Sequence, residues 1–275
     1  MSGEFLRLAA FPASLDLGPL LDELERQGIA WRLRREGEWT VLYVDRMPEG
    51  ALPGGAPRPP RSLRHPVTLA LVALSLVGTA IPRFAFPWLH WFTFQDFALL
   101  DDGRIAFGTL RDALAAGEYW RLVTPAFLHF GIFHVAFNGL WLWEFGRRIE
   151  AVAGGTALLA MVLALAVASS LSQYLWSGPS LFGGMSGVVF GLLGYLWVHQ
   201  RLCPRHEYQL PPGLVVLMVG WLLVCATGVV DLFVRGGIAN AAHVGGLLAG
   251  AALGAVGGWR AAGRRRAAGD GEEGR

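Results

Sequence analysis

Apolar residues run with little interruption through about residues 66–82, 130–149, 155–174, 186–202, 213–232 and 240–258. Each run approaches the roughly 20 residues that a helix needs to cross the hydrocarbon core of a bilayer. A helix satisfies its own backbone hydrogen bonds, so each run predicts a spanning helix. Ahead of them the pattern changes. Phe5–Phe11 predicts a strand, and Leu15–Gln27 an amphipathic helix with Leu17, Leu20, Leu21 and Leu24 at helical spacing. Ala30–Arg35 and Trp39–Val44 predict a hairpin around Glu36-Gly37-Glu38. The expected fold is an all-α polytopic membrane protein, a six-transmembrane-helix bundle preceded by a small cytoplasmic α+β domain. The expected divisions are that domain at 1–47, a Pro- and Gly-rich linker at 48–65, the bundle at 66–258 and an arginine-rich cytoplasmic tail at 259–275.

Charge sets the orientation. All 23 basic residues are arginine. Arg58, Arg61 and Arg64 precede the first run, Arg147 and Arg148 end the second, Arg201 and Arg205 end the fourth, and Arg260, Arg264, Arg265 and Arg266 follow the sixth. The opposite connections spread Arg83, Arg104, Arg111, Arg121 and Arg235 over many more residues, among Asp96, Asp101, Asp102, Asp112 and Glu118. Arginine-rich ends face the cytoplasm, so both termini are expected there. With 53% hydrophobic residues and a net charge of only +2, the chain has the composition of a bilayer protein, and no nucleic-acid partner is expected. Cys203 and Cys225 are too few for a disulfide framework and lack metal-ligand spacing. The connection after the first run opens with the aromatic cluster Phe84–Phe92, suited to the headgroup region, and Thr109–Ala116 predicts a short interfacial helix.

Polar residues inside the runs are the candidate chemistry, because lipid offers them no partners. Ser186 opens the fourth run in Gly184-Met185-Ser186-Gly187, after the Gly-, Pro- and Ser-containing loop Ser177–Gly184. A helix of about 12–17 residues from Ser186 covers only about 18–25 Å, so its start is expected below the outer surface, with its free N–H groups lining a polar cavity. Taken alone, this string equally suits the N-cap serine of a transporter or channel. His243 lies three residues before Gly246, on a face continued by Gly250 and Gly254; Gly187 and Gly191 offer a matching face on the Ser186 helix. Docking these faces would bring hydroxyl and imidazole together, a nucleophile with its base. In the second run His129, His134 and Asn138 form a third constellation. His134 and Asn138 are four apart on one helical face and can donate to an oxyanion, or simply bond neighbouring helices. No acidic residue completes a triad, so a Ser–His dyad is the economical reading; Glu150 reads as a structural cap or ion-pair partner.

These residues together resemble the rhomboid family of intramembrane serine proteases. The matching strings are Trp120-Arg121, HFGIFHVAFN at 129–138, Glu150, GGMSGVVFGLLGY at 183–195, DLF at 231–233 and ANAAH at 239–243. The resemblance covers about residues 66–258 and is to the bacterial members, which implies the bacterial inner (cytoplasmic) membrane. It implies Ser186 as nucleophile and His243 as general base, with the Ser186 backbone N–H and the His134 and Asn138 side chains as the oxyanion hole. It also implies transmembrane-helix protein substrates cleaved near their outer ends, the lipid bilayer as the medium, and neither metal nor cofactor. Two positions depart from the family pattern. Phe190 stands where a tyrosine is found, which removes a hydroxyl near the base while leaving a ring to pack on His243. Pro125 stands where an additional histidine is often found.

Overall fold

The computed structural model describes residues 5–12, 15–36, 39–46, 48, 65–232 and 237–273. The linker residues 49–64, Arg58, Arg61 and Arg64 among them, lie outside the described residues, as do the hairpin tip at Gly37-Glu38 and the positions Phe233 and Arg235. The chain divides into two compact units, residues 1–61 and 62–275.

In the first unit β1 (Leu6–Pro12), α1 (Gly18–Arg26), β2 (Trp31–Glu36) and β3 (Trp39–Val44) follow the predicted order. Both outer strands pair antiparallel with β3, giving the order β1-β3-β2. Leu20 and Leu24 of α1 pack with Phe11, Leu42 and Val44, so the helix covers one face of the sheet.

The second unit is helical: α2 (Pro66–Phe84), α3 (Leu110–Ala115), α4 (Ile132–Ala153), α5 (Gly155–Ser177), α6 (Ser186–Leu202), α7 (Pro212–Ala226) and α8 (Asn240–Glu273). Among the described residues α2, α5 and Asn240–Arg264 of α8 are long and apolar enough to cross a membrane, and α7 is a shorter apolar helix. The chain is therefore a multi-pass membrane protein. α6 has 17 residues, and those from Gly187 to Leu196 are all buried. It is the central helix, contacting α4, α5 and α8. Two helix ends differ from the hydropathy pattern. α7 stops at Ala226, where Thr227 and Gly228 turn the chain into a short 3-10 segment at Val230–Leu232. α8 continues far beyond residue 258, because its tail is built mainly from alanine and arginine, both strong helix formers.

Polar contacts fix the helices where lipid would not. Glu150 accepts from the Val67 N–H at 2.9 Å, the Thr68 N–H at 2.8 Å and the Thr68 hydroxyl at 2.6 Å. It thus caps the start of α2 from a different helix, supplying acceptors to N–H groups that have none within α2. At Gly154, φ +84 permits the abrupt turn from α4 into α5. Between α2 and α4, the connection closes on Arg121, which is 1% exposed. Its guanidinium donates to Glu118 at 2.5 Å and to the carbonyls of His90 and Thr93 at 2.5 and 3.1 Å. The neighbouring Trp120 indole donates to the Trp91 carbonyl at 2.9 Å. β4 (Phe97–Leu99) and β5 (Ile105–Phe107) form a small antiparallel ribbon in the same connection.

Replacing Glu150 with alanine leaves buried donors without an acceptor and is expected to cost about 2 kcal/mol or more. Thermal unfolding in detergent micelles should show a clearly lower midpoint for Glu150→Ala; an unchanged midpoint would refute the capping role.

Candidate active site

Glycines place the two reactive side chains. α6 and α8 share the most extensive contact of any two elements. A methyl group on Gly246 would collide with the Gly187 carbonyl, and one on Gly250 with the Gly191 carbonyl. One on Gly254 would meet the Tyr195 carbonyl. The two small-residue faces therefore touch backbone to backbone, in the register that their four-residue repeats predict. Ser186 occupies the first turn of α6 and His243 the first turn of α8, so both lie at the same end of this seam.

His243 Nε2 lies 2.7 Å from Ser186 Oγ. An imidazole nitrogen at that distance can accept the hydroxyl proton, leaving the other ring proton on Nδ1. His243 is buried, and its Nδ1 has no hydrogen-bond partner among the described residues. Phe190 packs its ring against the imidazole, 4.9 Å between centroids and tilted by 40°. Asp231 accepts the Ile238 N–H at 2.8 Å, and Glu150 is engaged with α2. Neither carboxylate serves the imidazole. Gln173 of α5 supports its backbone instead: Oε1 accepts the Ala242 N–H at 3.1 Å, and Nε2 donates to Ser177 Oγ at 3.1 Å.

The loop before Ser186 is held as firmly as the helices. Gly184 donates its N–H to the Pro125 carbonyl at 2.9 Å. His129 bridges two backbone groups, with Nδ1 3.0 Å from the Phe127 carbonyl and Nε2 3.3 Å from the Met185 N–H. The first contact requires a proton on Nδ1 and the second a lone pair on Nε2, so His129 is neutral with a defined tautomer. His129 is thus separated in task from His134 and Asn138, with which the sequence pattern groups it. Gly184 adopts φ +122, and a Cβ there would sit 2.6 Å from His134 Nε2 and 3.6 Å from Asn138 Nδ2. Both side chains therefore converge on the turn that leads into Ser186. Asn138 Nδ2 is buried with no hydrogen-bond partner among the described residues, an amide donor close to the turn that leads into Ser186. Together with the free N–H groups of the first α6 turn, these donors can receive negative charge beside the serine.

A family model for the rhomboid domain matches residues 116–260, just over half of the chain. The chain belongs to the rhomboid family. It is 42% identical over 133 residues to the rhomboid protease GlpG of Yersinia pseudotuberculosis serotype I (strain IP32953), covering 48% of this chain and 46% of that protein. It is 41% identical over 133 residues to the corresponding protein of Yersinia pestis (strain Pestoides F). To the rhomboid protease GlpG of Serratia proteamaculans (strain 568) it is 35% identical over 195 residues, covering 69% of this chain and 62% of that one. The chain thus spans about half the length of the Yersinia relatives it matches. The matched region of this rhomboid contains the residues gathered around Ser186 and His243, from Pro125 to Gly254.

Two supports of the site were not legible in the sequence. Gln173 sits in the third apolar run with Ser169, Ser170 and Ser172, and its polarity within that run was the available signal. A glycine in the loop Ser177–Gly184 permits a sharp turn, whereas the closeness of Gly184 to His134 depends on how α4 docks. Adding a methyl group there, Gly184→Ala, should push His134 away and strain the turn. Labelling of Ser186 by a fluorophosphonate probe, which reports an activated hydroxyl, is expected to fall at least tenfold, with the unfolding midpoint lowered but the protein still folded. Equal labelling of Gly184→Ala and native protein would contradict this account of the turn.

Proposed function

We propose that this rhomboid is an intramembrane serine endopeptidase that hydrolyses peptide bonds in or near transmembrane segments of membrane-protein substrates. The observation that carries the reading is the 2.7 Å contact between Ser186 Oγ and His243 Nε2, on the first turns of two helices within the bundle. The relatives' name, rhomboid protease, agrees with it. Ser186 transfers its proton to His243 Nε2 as Oγ attacks the scissile carbonyl carbon. The resulting oxyanion takes hydrogen bonds from the Ser186 N–H and from the His134 and Asn138 side chains. The imidazolium then returns its proton to the departing amide nitrogen, the C–N bond breaks, and an ester to Ser186 remains. Water attacks that ester with His243 again as base, releasing the acid and restoring the serine. The dyad needs no carboxylate as a third member, because Phe190 and the Gln173-supported first turn of α8 hold the imidazole in place.

In this reading α2, α4, α5, α6, α7 and α8 are the six transmembrane helices. α6, at 17 residues, is shorter than a full span but is enclosed by other helices, whereas α4 carries charged residues in its last turns and exposes an apolar face that includes Phe133, Phe137 and Leu140. Both termini are cytoplasmic and the membrane is the bacterial inner membrane, following the arginine distribution. Residues 1–47 form the cytoplasmic domain, 48–65 the linker, 66–258 the protease domain and 259–275 the tail. The apolar bundle takes single transmembrane helices as substrates, and residues that break a helix favour their unwinding into the site. α7, whose Val216, Leu217, Trp221 and Leu223 are exposed, is the helix past which they enter.

Cleavage of a labelled transmembrane-helix substrate in proteoliposomes tests the proposal. Ser186→Ala and His243→Ala are expected to abolish product formation, and Asn138→Ala to slow it by about a hundredfold. Full cleavage by Ser186→Ala would exclude Ser186 as the nucleophile, and an unchanged rate for Asn138→Ala would reduce that residue to packing.

A further inference from the structure

At the opposite end of α6 from Ser186, a groove of about 380 Å³ opens between the last turns of α6 and the first turns of α7. Its wall is apolar, formed by Leu196, Trp197, Leu210, Val215 and Val216, with Arg201 at the rim. That volume lies within the roughly 300–1,000 Å³ of small-molecule sites. Arg201 is exposed and makes no ion pair among the described residues. Its guanidinium lies 4.9 Å from the centroid of the Trp197 ring, which keeps the charge against the groove. The nearby arginines differ from it. Arg147 and Arg148 are spent on Glu144, and Arg148 also donates to the Glu207 and Gln209 carbonyls. Gln200, also in the lining, accepts the Arg205 N–H at 2.8 Å through Oε1, so its amide N–H₂ remains as a second donor.

We propose that this groove binds an anionic phospholipid of the cytoplasmic leaflet, its phosphate on Arg201 and one acyl chain along the α6–α7 wall. The charge argues for this occupant. A guanidinium with no ion pair among the described residues matches a phosphate in two-point geometry, and the Trp197 ring beside it limits where that phosphate is met. The wall below is lipid-like in character and continuous with the exposed face of α7, where Val216 is 72% exposed. Arg260 and Arg264 of α8 add exposed positive charge near the same end, since Gly258 packs against Leu202. The leaflet assignment rests on the orientation proposed above, whereas the lipid chemistry does not.

Native mass spectrometry of the full-length protein, purified in detergent and exchanged with phosphatidylglycerol or phosphatidylcholine, tests the proposal independently of orientation and proteolysis. The native protein is expected to retain one phosphatidylglycerol in preference to phosphatidylcholine. Arg201→Gln should reduce that retention by about fivefold or more. Val216→Trp, which obstructs the groove and leaves Arg201 intact, should reduce it as well. Arg260→Gln, outside the groove, should reduce it much less than Arg201→Gln does, and thermal unfolding in lipid-free micelles identifies any variant that fails to fold. Equal retention of the two lipids, or equal losses for Arg201→Gln and Arg260→Gln, would overturn the proposal.

Discussion

The backbone-to-backbone approach of α6 and α8 is the constraint on which the remaining geometry depends. Helices normally stand 8–10 Å apart because side chains intervene. Here glycine faces glycine or a bare carbonyl along the seam, and no side chain separates the two backbones. Only under that condition do two short side chains on the first turns meet at 2.7 Å. The same seam excludes lipid from the region between the two residues. Shape thus does what hydrophobicity cannot do between helices that are already in an apolar solvent.

A second feature is the distribution of satisfied and unsatisfied polar groups. Irregular backbone lies beside the start of α6, where the Pro125 carbonyl takes the Gly184 N–H and His129, itself held by the Phe127 carbonyl, takes the Met185 N–H. The connection between α2 and α4 is likewise tied together, there by the buried Arg121. Against that background Asn138 Nδ2 and His243 Nδ1 have no hydrogen-bond partner among the described residues, as is also true of Gln95 Oε1 and Arg205 Nε elsewhere in the bundle. Buried polar groups are paired in the great majority of cases, and these two N–H groups stand beside a serine hydroxyl, where negative charge can be received. The Ser186 turn is thus rigid in its supports and open in its chemistry.

Much of this was legible in the sequence because membrane helices write their contacts plainly. The Gly246, Gly250 and Gly254 repeat, matched by Gly187 and Gly191, gave both the partner helices and their register. The spacing of His134 and Asn138 gave a shared face. The small α+β unit followed from period-2 and period-3.6 patterns, and its strands fell within about a residue of expectation. What was hidden depended on contacts between distant segments. Glu150 read as a cap or a pair, but that it closes the start of α2 becomes visible only when α4 lies beside α2. His129 shared a polar neighbourhood with His134 in sequence, yet its ring nitrogens bridge backbone on two different loops. Hydropathy also misplaced the end of α8, because an alanine- and arginine-rich helix continues after its apolar character has ended.

That continuation has a mechanical consequence. α8 is one uninterrupted helix from Asn240 to Glu273, with His243 in its first turn and its final turns beyond the apolar stretch. At 1.5 Å per residue it is a rod of about 50 Å, and the imidazole rides close to one tip. Tilting such a rod by a single degree about its middle displaces that tip by about 0.4 Å, comparable with the tolerance of a working catalytic contact. The far end of α8 is therefore a lever on the Ser186–His243 contact, and the glycine seam is the bearing that keeps it still.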